Sequence, residues 1–99
     1  MLVRIVRMTL QPAKLEDFKS MFSHVSPKIR SFEGCTHLEL LYDARYPHIV
    51  TTLSHWTTEK QLNLYRESRL FLNTWSQTRE WFAAPPVAHS YYADSESSE

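Results

Sequence analysis

The chain has 99 residues, with 11 acidic and 11 basic side chains, one cysteine and one glycine. This length is that of a single domain, and zero formal charge argues against nucleic acid or an anionic membrane surface as a partner. One thiol excludes an internal disulfide and a cysteine zinc cluster, and one glycine excludes a glycine-rich phosphate-binding loop.

The chain begins with a predicted strand followed by a helix. Leu2 to Leu10 is an apolar, β-branched run, which predicts the strand. Pro12 suits the first turn of a helix, and apolar residues then recur at steps of three and four. Pro27 lies inside that stretch and is expected to kink the helix or to restart it with Ser26 as a new cap. Gly34 marks the end of the helix, because glycine takes the left-handed conformation that closes one.

The rest of the chain contains three predicted strands and two short helices. The strands are stretches rich in β-branched and aromatic residues: Cys35 to Asp43, His48 to Trp56, and Val87 to Ala93. The first two should pair as an antiparallel hairpin. One helix is capped by Thr57 or Thr58 and the next by Ser68, and Pro85 and Pro86 stop the second helix.

The order β-α-β-β-α-β, with the last helical part divided in two, predicts an α+β, ferredoxin-like fold: a four-stranded antiparallel sheet with helices on one face. Both faces of the first strand are largely apolar, since Val3 and Ile5 alternate with Val6 and Met8. Helices cover only one face, and a second copy of the chain is the simplest cover for the other. We therefore predict a homodimer in which two sheets pack face to face.

The predicted domain spans residues 1–93, and the acidic, serine-rich residues 94–99 are expected to form a disordered tail. No segment has the pattern of a signal peptide or of a membrane span. A cytoplasmic protein is the resulting expectation.

Several segments resemble the antibiotic biosynthesis monooxygenase (ABM) domain family over about residues 1–92: Arg4 to Leu10, Phe32 to Cys35, His37 to Leu41, Ser54 to Thr57, Tyr65 to Ser68, Leu70-Phe71 and Trp75. The resemblance implies a dimeric α/β barrel, in agreement with the dimer inferred from the apolar sheet faces. Some members oxygenate reduced polycyclic phenols or quinols with molecular oxygen and without metal or flavin. The resemblance therefore implies a cofactor-independent monooxygenase for an aromatic or quinol-like small molecule.

Two branches of the family differ from this chain at their functional positions. The haem-degrading branch has Asn, Trp and His where this chain has Val6, Tyr65 and Trp75, so haem degradation is not expected. The quinol-oxygenating branch has an Asn and a Trp four residues apart on the third strand. Trp56 matches that Trp, but Thr52 replaces the Asn, and a hydroxyl cannot reproduce both functions of a carboxamide.

Cys35, His37 and Glu39 alternate along the second predicted strand, so all three are expected on one face. They could ligate a metal, or His37 could act as a general base oriented by Glu39. Neighbouring side chains on one strand project in parallel and rarely converge on one ion, so no metal is expected. The sequence has no cofactor motif, so no other cofactor is expected either. The alternative for these residues is a polar strip on a sheet face that is exposed or packed against a partner. We predict His37 as a catalytic base, because its ordinary pKa lies near neutrality.

The remaining candidates are expected to line a cavity between the helices and the sheet. Thr52 and Trp56 are assigned with His37 to catalysis. Four further residues are assigned to substrate binding. Trp75 and Phe71 would form aromatic walls, Tyr65 would supply a hydrogen bond from its phenol group, and Arg66 would supply a positive charge. For the aromatic residues the alternative is ordinary core packing, and for Arg66 it is an exposed helical position.

The alternative function is a non-catalytic small-ligand-binding or stress-associated dimer that keeps the fold without the chemistry. The two readings differ in what fills the space between helices and sheet. An oxygenase needs a closed cavity able to hold a two- or three-ring compound, with at least one polar group pointing inside. A vestigial domain should fill that space with Leu62, Phe71 and Trp75.

Overall fold

The computed structural model describes residues 1–94. Its helices and strands are, in chain order, β1 (Leu2–Thr9), a 3₁₀ turn (Pro12–Lys14), α1 (Leu15–Arg30), β2 (Cys35–Tyr42), β3 (Ile49–Trp56), α2 (Glu59–Arg66), α3 (Arg69–Arg79) and β4 (Val87–Tyr92). The strands form one antiparallel sheet in the order β2-β3-β1-β4. The predicted α+β, ferredoxin-like architecture is confirmed. Residues 95–99 of the predicted tail lie outside the described residues.

Two predicted helix caps are confirmed. The Thr58 hydroxyl accepts a hydrogen bond of 3.1 Å from the backbone N–H of Gln61 at the start of α2. The Ser68 hydroxyl accepts one of 3.1 Å from the N–H of Phe71 at the start of α3. Each bond satisfies a donor that the first turn of a helix leaves free, and so fixes where the helix begins.

Pro27 does not restart α1. The helix continues through Pro27 to Arg30, and Ser26 is buried within it instead of capping a new one. Proline removes one backbone hydrogen bond, but only one turn of helix remains after it. Ile29 in that last turn is 5% exposed, so packing against the sheet holds the turn in place.

Gly34 lies in the turn between α1 and β2. Its φ angle is 94°, in the left-handed region that favours glycine. A Cβ at this position would also overlap the side chain of Gln61. Glycine therefore allows the turn to pass close to the first turn of α2.

The two faces of the sheet differ in what covers them. On β1 the even-numbered residues lie on the side that the helices cover, here called the helix face, where Leu2 and Met8 are buried. The odd-numbered residues lie on the opposite side, here called the outer face. This is the predicted alternation, and it puts Arg4 on the helix face and Arg7 on the outer face.

The buried core between helices and sheet is divided into two clusters. The first consists of Met8, Leu10, Phe18 and Val50, and the second of Leu2, Trp56 and Leu62. Side chains from α1 complete the first cluster, and α2 supplies Leu62 to the second. The space between these clusters is therefore bounded by the sheet on one side and by helices on the other.

The outer face carries apolar side chains with no helix over them in residues 1–94. Leu41 is 42% exposed, Val87 46% and Tyr91 51%. Leu53, at the centre of this face, pairs with Ile5 across the β1–β3 ladder. These residues form the surface on which the predicted homodimer depends. Within the described chain, the helices are too short or too polar to cross a membrane.

Candidate functional site

A cavity of about 250 Å³ lies between the helices and the sheet, bounded by both core clusters. Its floor is formed by helix-face residues of β1 and β3, including Val6 and Thr52. Its roof is formed by α2 and α3, including Tyr65 and Trp75. Leu62 and Phe71 line this space without filling it. The structure thus brings together every predicted site residue except His37.

The aromatic side of the cavity is a continuous series of ring contacts. The rings of Trp56 and Tyr65 stack with centroids 5.0 Å apart, and Tyr65 meets Phe71 edge to face at 5.2 Å. Phe71 in turn stacks on Trp75 at 5.8 Å, with an angle of 9° between the ring planes. Each ring is held by its neighbours, so the same residues pack the core and form the cavity wall.

Trp56 is fixed in place by its surroundings. Its side chain is 1% exposed, and its indole N–H donates a hydrogen bond of 2.9 Å to the hydroxyl of Ser54. The alternative of a core anchor with a satisfied N–H therefore describes Trp56. Trp56 offers a ligand neither a hydrogen bond nor much contact area, and it supports the cavity wall through the Tyr65 ring stacked on it.

Three hydroxyl groups on the cavity lining remain available. Within residues 1–94, none of Thr52, Tyr65 and Thr74 uses its side-chain hydroxyl in a hydrogen bond. Burial raises the pKa of Tyr65, and the nearby Cys35 thiol adds to the effect. Tyr65 is therefore a neutral phenol at physiological pH, able to donate a proton in a hydrogen bond but not to act as an anionic base.

Two arginines also line the cavity: the predicted Arg66, from the last turn of α2, and Arg4, from β1. Arg66 is exposed, as its alternative assignment expected, and it lies at the edge of the cavity. Arg4 lies between Ser54 and Ser90 on the neighbouring strands and donates a hydrogen bond of 3.0 Å to the Ser90 hydroxyl. Burial lowers the pKa of Arg4, and the positive charge of Arg66 lowers it further. Sequence reasoning missed Arg4 as a site residue, although its even-numbered position among Leu2, Val6 and Met8 already indicated the covered face.

The base predicted at His37 is not in this cavity. His37 lies on the outer face, where its Nε2 is 2.9 Å from Oε1 of Glu39 and its ring centroid is 4.9 Å from that of His55. The expected contact with Glu39 therefore exists, but the sheet itself separates the pair from a ligand bound under the helices.

Cys35 does not share the face of His37 and Glu39, so that prediction was wrong. Cys35 pairs with Trp56 while His37 pairs with His55, which places one extra residue in β2 between them. This irregularity reverses the alternation, and Cys35 packs on the helix face against the second core cluster. Burial raises the pKa of the Cys35 thiol, which weakens it as a nucleophile or metal ligand. Over residues 1–94, no three His, Cys, Asp or Glu side chains are grouped as a metal site.

Among the described residues, the cavity lining contains neither a histidine nor a carboxylate. Its ionisable groups are Arg4, Arg66 and Tyr65. The arrangement can hold a flat ring between aromatic walls, donate hydrogen bonds and stabilise negative charge. It offers no side chain suited to accept a proton at neutral pH.

Comparisons with known proteins agree with this architecture. A sequence model of a family described as antibiotic biosynthesis monooxygenase matches residues 1–77. A crystal structure described as an antibiotic biosynthesis monooxygenase superposes with a TM-score of 0.88 at 15% identity, covering 94% of this chain and 98% of the other. A candidate monooxygenase of the same kind from Nitrosomonas europaea gives 0.88 at 22% identity, with coverages of 94% and 98%.

A conserved protein from Methanosarcina mazei Go1 gives a TM-score of 0.86 at 21% identity, covering 92% of this chain and 91% of its own. No curated protein has a significant sequence match. At these identities the structural likeness shows the fold, and the chemistry has to be argued from the cavity.

Proposed function

The chain belongs to the antibiotic biosynthesis monooxygenase family, and on that premise we propose that it is a cofactor-independent monooxygenase for a compact aromatic or quinol-like molecule. The observation that carries the proposal is the cavity, about 250 Å³ in volume, with aromatic walls and unused hydroxyl groups. Leu62, Phe71 and Trp75 would close this space in a domain that had lost its ligand. They border it instead.

The cavity volume limits the size of the substrate. An engineered apolar cavity of about 150 Å³ accepts benzene, and pockets for drug-sized ligands begin at about 300 Å³. A volume of about 250 Å³ lies between these limits. It suits a compound with a single ring or two fused rings better than a large polycyclic one.

The proposed reaction uses the electrons of the substrate itself. A bound phenol loses a proton to water at the open side of the cavity, and the hydroxyl groups of Thr52 and Tyr65 donate hydrogen bonds to the resulting anion. The anion transfers electrons to molecular oxygen, and a bond from a ring carbon to oxygen gives a hydroperoxide. Cleavage of the O–O bond then releases water and leaves a carbonyl group. One phenol and one O₂ thus become one quinone and one water, with no added reductant.

In this mechanism the aromatic walls orient the ring and exclude water from its faces. Tyr65 and Trp75, which are partly exposed, supply the ring surfaces from α2 and α3. Trp56 supports Tyr65 by stacking, and Phe71 supports Trp75 in the same way. Excluding water protects the reactive anion and strengthens the hydrogen bonds that stabilise it. His37 has no role in this reaction, because it lies on the outer face.

Oxygen uptake with a panel of hydroquinones and naphthols tests the proposal. Thr52→Val, which removes the hydroxyl and keeps the shape, should lower the rate roughly 10- to 100-fold, the value of one hydrogen bond to a charged oxygen. The matched control is Thr51→Val, one residue earlier on β3 and on the outer face, which should keep the wild-type rate. If no compound in the panel supports oxygen uptake above that of buffer, the proposal is wrong.

The alternative is a domain that binds the same kind of molecule without oxidising it. The observation that favours this alternative is the composition of the lining. In residues 1–94 it contains no histidine or carboxylate to act as a base, and the Trp56 N–H is used internally. Calorimetric binding of a naphthol that is not consumed in the presence of oxygen would identify this case.

A further inference from the structure

Arg4 and Arg66 border the same cavity from two different elements, the central strand β1 and the end of α2. In residues 1–94 no carboxylate forms an ion pair with either of them. The Ser90 hydroxyl is the one side-chain partner of Arg4 in that part of the chain, and it is uncharged. Two positive charges therefore border an aromatic cavity, one on the half-buried Arg4 and one on the exposed Arg66, and no carboxylate of residues 1–94 is paired with them.

This arrangement is unfavourable for the empty protein. Arg4 is half-buried on the helix face, and removing a charge from water is unfavourable unless the charge is paired. Arg66 is close enough that its charge disfavours the protonated form of Arg4. The C-terminal end of α2 stabilises the positive charge of Arg66, but it does not neutralise the charge of Arg4. A negatively charged ligand would remove both penalties.

We propose that Arg4 and Arg66 form an anion subsite, and that the ligand of the cavity is a compact aromatic carboxylic acid whose carboxylate binds these two guanidinium groups. This subsite names the class of substrate for the proposed function. Binding of the carboxylate does not depend on that function, but oxidation of the aromatic ring of the ligand does.

The carboxylate is favoured over other anions by geometry and by ionisation. A planar guanidinium matches the two oxygens of a carboxylate with parallel hydrogen bonds. A carboxylic acid arrives already ionised at neutral pH, whereas a phenol arrives neutral in a cavity whose lining lacks a base. The charge of the two arginines is thus compensated at the moment of binding.

The strand register separates the anion subsite from the hydroxyl proposed to contact the ring oxygen. Arg4 pairs with Ser54, and Val6, one same-face step further along β1, pairs with Thr52. Two residues of strand correspond to about 7 Å. A one- or two-ring acid can span this distance, with its carboxylate at Arg4 and a phenolic oxygen near Thr52.

Isothermal titration with 2-naphthoate and with 2-naphthamide tests the subsite, because the two compounds share a shape and differ in charge. Wild-type protein should bind the acid roughly 10- to 100-fold more tightly than the amide, the range expected for hydrogen bonds between charged groups. Arg4→Gln and Arg66→Gln should each remove most of this preference while changing amide binding little.

The matched control is Arg69→Gln, which removes an exposed arginine of α3 that is not part of the cavity lining and should keep the preference. Circular dichroism checks that each variant folds, and Arg66→Gln keeps the test valid if the half-buried Arg4 proves necessary for folding. Equal affinities for acid and amide in the wild type, or a preference that survives in the Arg66 variant, would overturn the inference. Because the titration involves no turnover, a protein that selects the acid but consumes no oxygen would refute the oxygenase proposal and leave the anion subsite intact.

Discussion

The two faces of the sheet are built from alternate residues of the same strands, yet the candidate polar residues on them differ in their partners. On the outer face the His37 and Glu39 side chains satisfy each other at 2.9 Å. On the helix face Arg4 has no carboxylate partner in the described chain, and the Thr52 hydroxyl is unused there. A polar group that already has a partner has little to offer a ligand, whereas a polar group without one, near a cavity, is available to bind it. We therefore assign the proposed chemistry to the helix face.

The apolar groups of the two faces differ in the same way. On the helix face they are buried within one chain, as Trp56 and Leu62 are. On the outer face Leu41, Val87 and Tyr91 are each more than 40% exposed. Exposed apolar area of this kind is typical of a surface that another molecule covers, so we assign the outer face to assembly.

The largest expected effect is the loss of folding stability when a large side chain is removed from the helix face, compared with the same kind of change on the outer face. Trp56→Ala should lower the free energy of unfolding by about 3–5 kcal/mol, because it leaves a cavity where a 1% exposed indole was packed. His55→Ala, one residue earlier and on the outer face, should lower it by less than about 1 kcal/mol. Urea denaturation followed by circular dichroism measures both values. Equal losses would mean that the two faces are packed alike.

The next effect concerns assembly. We expect the wild-type chain to sediment as a dimer, at twice its mass of 11.7 kDa. Ile5→Arg places a charge at the centre of the outer face, where its cross-strand neighbours are Leu53 and His89 and not a carboxylate. It should weaken the dimer by at least about 100-fold, since burying an unpaired charge costs several kcal/mol.

A charge on the helix side of the molecule provides the control for this assembly test. Leu64 of α2 is 47% exposed, and Leu64→Arg should leave the sedimentation unchanged. A folded wild-type particle of 11.7 kDa at micromolar concentration would contradict the assignment of the outer face to assembly.

Much of the fold could be predicted from the sequence because local signals and tertiary packing agree there. Hydrophobic alternation located the strands, and the hydroxyls of Thr58 and Ser68 located the starts of two helices. Pro27 shows where local signals fail. The apolar stripe of α1 continues past it, and packing of Ile29 outweighs one missing hydrogen bond.

The candidate site was less predictable, since it depends on a register that neither strand specifies alone. An irregularity between Cys35 and His37 turns these two residues to opposite faces, and it arises where β2 pairs with β3. The prediction assumed regular alternation along β2, and it therefore placed Cys35 on the same face as His37. Arg4 was recognisable in principle, because its alternation with apolar neighbours put a charge on the covered face.

The smallest expected effect concerns pH. Burial raises the pKa of Tyr65 above its ordinary value near 10, so on raising the pH the unfolded chain loses this proton before the folded chain does. The unfolded state then binds fewer protons, and stability falls from about pH 10 upward, by at most about 1.4 kcal/mol per pH unit for this group. Tyr65→Phe keeps the ring contacts with Trp56 and should reduce the alkaline loss while changing stability at pH 7 little. Tyr46→Phe, in the exposed turn between β2 and β3, should leave the loss in place. Urea midpoints measured between pH 8 and 11 compare the two variants, and an equal alkaline loss in both would show that the cavity wall around Tyr65 is as accessible to water as this turn.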